Sequence, residues 1–240
     1  MTASLSETES QKVAVATADG EMPAHLWLPA SGTGPGLVML QEIFGVSDYI
    51  KSRSADLAAL GYVVLAPQLY WRLGSPTVDD SAPDVLQQAI QLAGQLDWDT
   101  AVSDAVAATS VLRERHDVVG GVGVIGFCFG GGLAFNTAAV TEVDVLVSYY
   151  GSALGGLVDL AGQVTAPSLH HFGRADPYID RLTQNRIEAA VMARPGNRFE
   201  AYEGASHAFD NPNPAFHHAE ASDAAWRVTT EFLAENLPCG

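Results

Sequence analysis

The segment Gly126-Phe127-Cys128-Phe129-Gly130-Gly131-Gly132 follows an apolar run at 122–125 and leads into a second apolar segment. It reads as G-x-C-x-G between a strand and a helix. That is the form of a nucleophile elbow with sulfur in place of oxygen, in which glycines clear space around a strained turn that lifts the nucleophile above a sheet. Random placement of 23 glycines and two cysteines among 240 residues yields the pattern roughly 0.02 times per chain. The competing reading is a small buried cysteine packed between sheet and helix. A thiol with a reference pKa of about 8.5 is only slightly ionised at neutral pH, so nucleophilic use calls for a base and an acid to orient it. Asp176, within His171-Phe172-Gly173-Arg174-Ala175-Asp176-Pro177, and His207, within Tyr202-Glu203-Gly204-Ala205-Ser206-His207, each lie just past a strand candidate. Taken alone, Asp176 reads equally well as a helix-capping loop carboxylate, and His207 as a satisfied surface histidine. Their placement at successive strand ends downstream of an elbow is what makes them a base and its orienting acid. The chain order Cys, Asp, His is one in which such triads occur.

Other motifs carry less. Gly121-Val122-Gly123-Val124-Ile125-Gly126 matches the dinucleotide fingerprint G-x-G-x-x-G, with Asp144 downstream. The fingerprint needs its strand before the first glycine, whereas here 122–125 is itself the strand and Asp144 begins another. No Gly-Lys-Ser/Thr follows the glycine cluster, which excludes a P-loop. His170 and His171 are neighbours in a strand, so they point to opposite faces and cannot share a metal. His217 and His218 open the last helix and read as solvated.

These residues need strands that end at a common edge. Residues 12–17 and 24–28 read as short strands around the turn at Asp19-Gly20, and 36–41 as a buried strand. Helical patterns cover 48–60, closed by Gly61, then 81–96, 100–113, 130–140, 180–192 and 215–236. Further strands are expected at 62–66, 122–125, 143–149, 168–172 and 199–202. Strands alternating with helices imply an α/β fold with a mostly parallel sheet covered on both faces. In such sheets chemistry sits at the C-terminal strand ends.

Composition bounds the remaining possibilities. With 240 residues, 48% of them hydrophobic, the chain can bury one large core. No repeat or linker divides it, so 1–240 is expected to be one domain with residues 1–10 as a flexible tail. Twelve Lys and Arg against 28 Asp and Glu give a net charge of −16, which argues against a nucleic-acid partner. The most apolar stretch, 145–157, is broken by Ser148, Gly151, Ser152 and Gly155, so no membrane span is expected. The start of the chain lacks a basic segment followed by an apolar one. With only Cys128 and Cys239, no disulfide framework is expected, and a reducing cytoplasm fits.

Gln41-Glu42-Ile43-Phe44-Gly45, Ala66-Pro67-Gln68-Leu69-Tyr70-Trp71-Arg72, the cysteine elbow, Tyr149-Tyr150-Gly151, the 173–176 segment and Gly204-Ala205-Ser206-His207-Ala208-Phe209 together resemble the dienelactone hydrolase (carboxymethylenebutenolidase) family of the α/β-hydrolase superfamily, over nearly the whole chain. The resemblance implies Cys128 as nucleophile, His207 as base and Asp176 as orienting acid. Glu42 and Arg72 are then further active-site groups, and the backbone N–H groups of Ile43 and Phe129 form the oxyanion hole. Arg72, Tyr150 and Phe44 would bind substrate, a small lactone or ester, with no metal or other cofactor. The expected assembly is a monomer or small homo-oligomer. Glu42 beside the thiol would hold it neutral at rest, and Arg72 would attract a substrate carboxylate and share it with Glu42. The alternative is a structural Glu42–Arg72 ion pair. The family pattern places an arginine soon after the catalytic histidine, where this chain has Asp210-Asn211; Arg174 is a candidate substitute. A broader carboxylesterase, or a redox or binding protein on the same fold, are the other functions considered.

Overall fold

The computed structural model describes residues 10–76, 78 and 84–240. The expected tail and the start of the 81–96 helix therefore fall largely outside the described residues. Strands are β1 (Gln11–Thr17), β2 (Gly20–Trp27), β3 (Gly34–Leu40), β4 (Val63–Pro67), β5 (Val118–Phe127), β6 (Leu146–Tyr149), β7 (Ser168–Gly173) and β8 (Arg198–Tyr202). Helices are α1 (Asp48–Ala59), α2 (Val85–Ala93), α3 (Trp98–Arg113), α4 (Phe129–Val140), α5 (Arg181–Val191) and α6 (Ala219–Asn236). The strand order is β1-β2-β4-β3-β5-β6-β7-β8. β1 with β2 and β2 with β4 are antiparallel, and every later neighbour is parallel.

Residues alternate between two cores. Val38 and Leu40 of β3 and Val63 and Leu65 of β4 pack with α3, α4 and α5, while Leu37, Met39, Val64 and Ala66 pack with α1 and α6. Burial on both faces explains why these strands read as continuous apolar runs. Among the described residues, no helix is long and apolar enough to cross a membrane.

Several boundaries depart from expectation: β2 spans Gly20–Trp27 and not 24–28, β6 begins at Leu146 and not at 143, and two further shifts have local reasons. β5 reaches back to Val118, which pairs with Gly34 across an irregularity that includes Gly121, while Gly123 pairs with Leu37 inside the sheet. A Cβ at either would run into Asp144 or Val145, so these glycines mark a close approach of backbone. α6 begins at Ala219, where the His218 side chain accepts from the Ala221 N–H. The preceding residues are used in Asn211 and Asn213 side-chain turns that accept the N–H groups of Asn213 and Ala215.

Candidate active site

The turn that carries Cys128 is built from glycines. A Cβ at Gly126 would collide with the Gly130 carbonyl, and one at Gly130 with the Leu40 carbonyl. With both free of side chains, β5 turns into α4 within one residue, and Cys128 takes φ 54° and ψ −113°. Tyr150 (φ 37°), after β6, and Ala208 (φ 56°), after β8, are also left-handed. Such strain in non-glycine residues persists only where the surroundings enforce it, and all three positions flank one end of the sheet.

The three residues expected to form the triad meet there. His207 Nε2 lies 3.1 Å from Cys128 Sγ, and His207 Nδ1 lies 2.7 Å from Asp176 Oδ2. Asp176 can only accept from Nδ1, which leaves Nε2 directed at the sulfur. The other Asp176 oxygen accepts the backbone N–H groups of Tyr178 and Ile179 at 2.8 and 3.1 Å. Asp176 thus braces its own loop while partnering the histidine, whereas the cap of the following helix, the alternative reading of Asp176, falls to Asp180, which accepts the Thr183 N–H. Burial pulls the His207 imidazole down, but the hydrogen bonds to Asp176 and Cys128 outweigh it and lift its pKa to about 10. The ring of Tyr150 stands 5.2 Å from that of His207.

Phe129, whose N–H was expected to help form an oxyanion hole with that of Ile43, directly follows Cys128. Phe129 is the first residue of α4, whose N-terminal N–H groups and dipole favour negative charge. The loop that carries Ile43 is pinned by a Tyr70 hydroxyl donating to the Ile43 carbonyl at 2.7 Å.

Glu42 is 1% exposed. Its Oε2 accepts from Asn211 Nδ2 at 2.9 Å, and Tyr150 Oη lies 3.5 Å from Oε1. Burial raises its pKa to about 7, despite the opposing effects of the Asn211 amide and the His207 charge.

Arg72 is brought elsewhere. Its guanidinium pairs with Asp104 of α3 and with Asp19 of the β1–β2 turn, and stacks over Trp71. Neither the expected Arg72–carboxylate clamp nor a Glu42–Arg72 ion pair forms: Asp104, 3% exposed on its side chain, holds the cation instead. Arg174 is likewise occupied, by Gln184 and Glu188. Phe44 lies on the wall of two cavities beside the site.

Asp210 and Asn211, noted in the sequence only as a departure, divide into two tasks. Asn211 faces Glu42, whereas Asp210 faces the helices. The Asp210 carboxylate takes Arg53 Nε and Nη2 at 2.8 and 2.6 Å, Ser222 Oγ at 2.6 Å and the Tyr49 hydroxyl. Tyr49 Oη in turn lies 3.3 Å from Tyr150 Oη, completing a buried string from Arg53 to Glu42. Nothing in the residue types marked Arg53 or Tyr49, because their partners lie more than 100 positions away. His170 and His171 do point to opposite faces, His170 towards Phe135 and His171 towards Tyr202 and Thr229. Among the described residues, no cluster of three or more His, Cys, Asp or Glu could hold a metal.

The mostly parallel sheet flanked by helices, with a tight strand-to-helix turn after β5, has the α/β-hydrolase fold. The chain spans 92% of itself and 93% of the carboxymethylenebutenolidase of Pseudomonas sp. strain P51 at 34% identity. It is 32% identical to that of Pseudomonas putida, over 86% of this chain and 88% of the relative. Residues 22–237 match the family model described as the dienelactone hydrolase family, and the chain belongs to that family. It is a carboxylic ester hydrolase acting on small lactones or esters. Among solved structures, the dienelactone hydrolase of Anabaena variabilis superposes with a TM-score of 0.70 at 22% identity, covering 95% of this chain and 98% of that one. A dienelactone-hydrolase-like promiscuous phosphotriesterase from metagenomic libraries gives 0.78 at 23%, with the same coverage. Both share the fold.

Proposed function

We propose that this enzyme hydrolyses its ester or lactone through a thioester on Cys128, with His207 as base and Asp176 as the group that orients it. The observation that carries this reading is the 3.1 Å contact between Nε2 and Sγ on an imidazole held by Asp176. With the Cys128 proton on His207, sulfur attacks the carbonyl carbon and the π pair moves onto oxygen, facing the N–H groups of Ile43 and Phe129. Collapse breaks the C–O bond. The departing alkoxide or enolate takes the proton from Nε2, leaving the acyl group on sulfur. Nε2 then removes a proton from water as its oxygen bonds to the acyl carbon, and the C–S bond breaks to return the thiolate. Glu42, beside His207, is a second proton-holding group whose charge opposes a resting thiolate.

The scheme uses no metal or organic cofactor and treats residues 1–240 as one catalytic unit. A second reading, a carboxylesterase that needs no substrate carboxylate, is supported by the commitment of Arg72 to Asp104 and Asp19.

The test is acid quenching of wild type during turnover of an activated aryl ester, followed by peptide mass measurement. An acyl adduct on the Cys128 peptide is expected, with adduct and turnover both lost in folded Cys128→Ala. Substantial turnover by Cys128→Ala would remove the nucleophile assignment. A folded wild type that turns over no ester would favour a redox or binding role.

A further inference from the structure

Two phenols, Tyr49 and Tyr150, lie between the carboxyl groups of Asp210 and Glu42, and all four residues are buried. Neither ring is free to swing. Tyr49 packs edge-on against Phe127 with ring centres 5.5 Å apart, and Tyr150 against Phe209 at 5.3 Å. Burial lifts both phenols well above their ordinary pKa, so each keeps its one proton. The direction in which each proton points can then be counted from the Asp210 end.

Asp210 accepts from Arg53 Nε and Nη2, from Ser222 Oγ and from the Tyr49 hydroxyl, which makes it purely an acceptor. The Tyr49 proton is thereby committed, and its oxygen can only accept from Tyr150, 3.3 Å away. Tyr150 has one proton for two acceptors, Tyr49 Oη and Glu42 Oε1, the latter at 3.5 Å. If that proton points to Tyr49, Oε1 can bond to the Tyr150 oxygen only by carrying a proton itself. The hydroxyls then all point one way, from Glu42 to Asp210, and hydrogen bonds running in one sense reinforce one another. If it points to Glu42, the carboxylate is satisfied, but the two phenol oxygens face each other with no proton between them. Glu42 Oε2 accepts from Asn211 in either case.

We infer that Tyr49 and Tyr150 form a directional hydroxyl relay, anchored on Asp210, that keeps a proton on Glu42 at rest and turns towards Glu42 when that proton is removed. Both are positioning residues. The other groups facing Glu42 pull in two directions: burial and the Asp210 charge favour its neutral form, while the Asn211 amide and the His207 charge favour the ionised one. Tyr150 by itself also favours the ionised form, and Tyr49 opposes this by competing for the same proton. The relay concerns the Glu42 proton alone; its use in turnover, as a restraint on Cys128, rests on the hydrolase scheme above.

The experiment labels glutamate at its side-chain carboxyl and follows it by carbon NMR as pH is varied, with the Glu42 resonance identified by its loss in Glu42→Gln. Tyr49→Phe keeps the ring but frees the Tyr150 proton for Glu42, and should lower the Glu42 midpoint by about 0.5–1 pH unit, the worth of one neutral hydrogen bond. Tyr150→Phe removes the donor to the carboxylate and should raise the midpoint. In the Tyr150→Phe background, Tyr49→Phe should have no further effect, because the link through which it acts is gone. A through-space or packing effect of Tyr49 would shift both backgrounds alike, and that result overturns the relay. A Tyr49→Phe midpoint that stays or rises overturns it too, whether or not Tyr150→Phe folds. Turnover of an activated aryl ester is measured on the same samples. Cys128-dependent turnover with an unmoved midpoint sinks the relay alone, whereas the expected midpoints in a protein that turns over no ester sink the hydrolase reading and leave the relay standing.

Discussion

Replacing Glu42 by glutamine should change how stability depends on pH, because the native state holds this carboxyl far from its ordinary behaviour. Burial raises its pKa from 4.5 to about 7. Between those values the native protein keeps a proton that the unfolded chain has released. Unfolding stability therefore falls as pH rises through the window, by about 1.4 kcal/mol per pH unit. Below 4.5 both states are protonated and the effect vanishes. Above about 7 both are ionised and the penalty is constant, on the order of 3 kcal/mol. Glutamine cannot ionise, yet it retains an oxygen for the Asn211 amide. The stability of Glu42→Gln relative to wild type should thus rise by roughly 3 kcal/mol between pH 4.5 and 7.5, whatever constant offset the substitution adds. Other titrating groups cancel in the difference. Urea unfolding followed by tryptophan fluorescence across that range measures it. Parallel pH profiles for the two proteins would refute the raised Glu42 pKa and show a carboxylate that is charged in the native state across this range.

Asp210→Asn should destabilise the fold by about 3–5 kcal/mol, since Arg53, 16% exposed on its side chain, would lose its bidentate partner. Adding Arg53→Met should recover much of that loss in thermal melts, and a fully additive double mutant would argue against the pair. Arg72→Ala should lower stability by about 1–3 kcal/mol by stripping Asp104 of its cation. It should leave the ratio of carboxylated to neutral substrates unchanged, and a selective loss on carboxylated esters would return Arg72 to the substrate. Asn211→Arg should pair with Glu42 and move its titration towards the usual carboxylate range, raising the relative kcat/KM for carboxylated esters. An unchanged ratio would mean that position 211 does not face the substrate.

Much of the architecture was legible because burial on both faces imposes a simple pattern. Residues 37–40 and 62–66 carry unbroken apolar runs, and both lie towards the centre of the sheet. The elbow was legible for a related reason: Gly126 and Gly130 leave no room for a Cβ, and a steric demand of that kind leaves its mark on residue type. Ion-pair partners leave no such mark. Arg72 and Asp104 are 32 positions apart, and Arg53 and Asp210 are 157 apart. An arginine reads the same whether it awaits a substrate or is spent on a buried aspartate.

The same distinction accounts for the missing arginine after His207. A cation there would face Glu42 in a buried space and hold it ionised. Here the cation sits instead on α1, as Arg53, and reaches Asp210 from behind the histidine loop. Asp210 lies two residues past the strained Ala208, so its contacts with Arg53, Tyr49 and Ser222 hold in place the turn that aims His207 at Cys128. Asn211, next in the chain, then offers Glu42 only a neutral amide. The anchoring charge is thereby separated from the proposed reacting centre, and Glu42 is left to titrate near neutrality. A single arginine at position 211 could not both brace the loop against α1 and leave that carboxyl protonated.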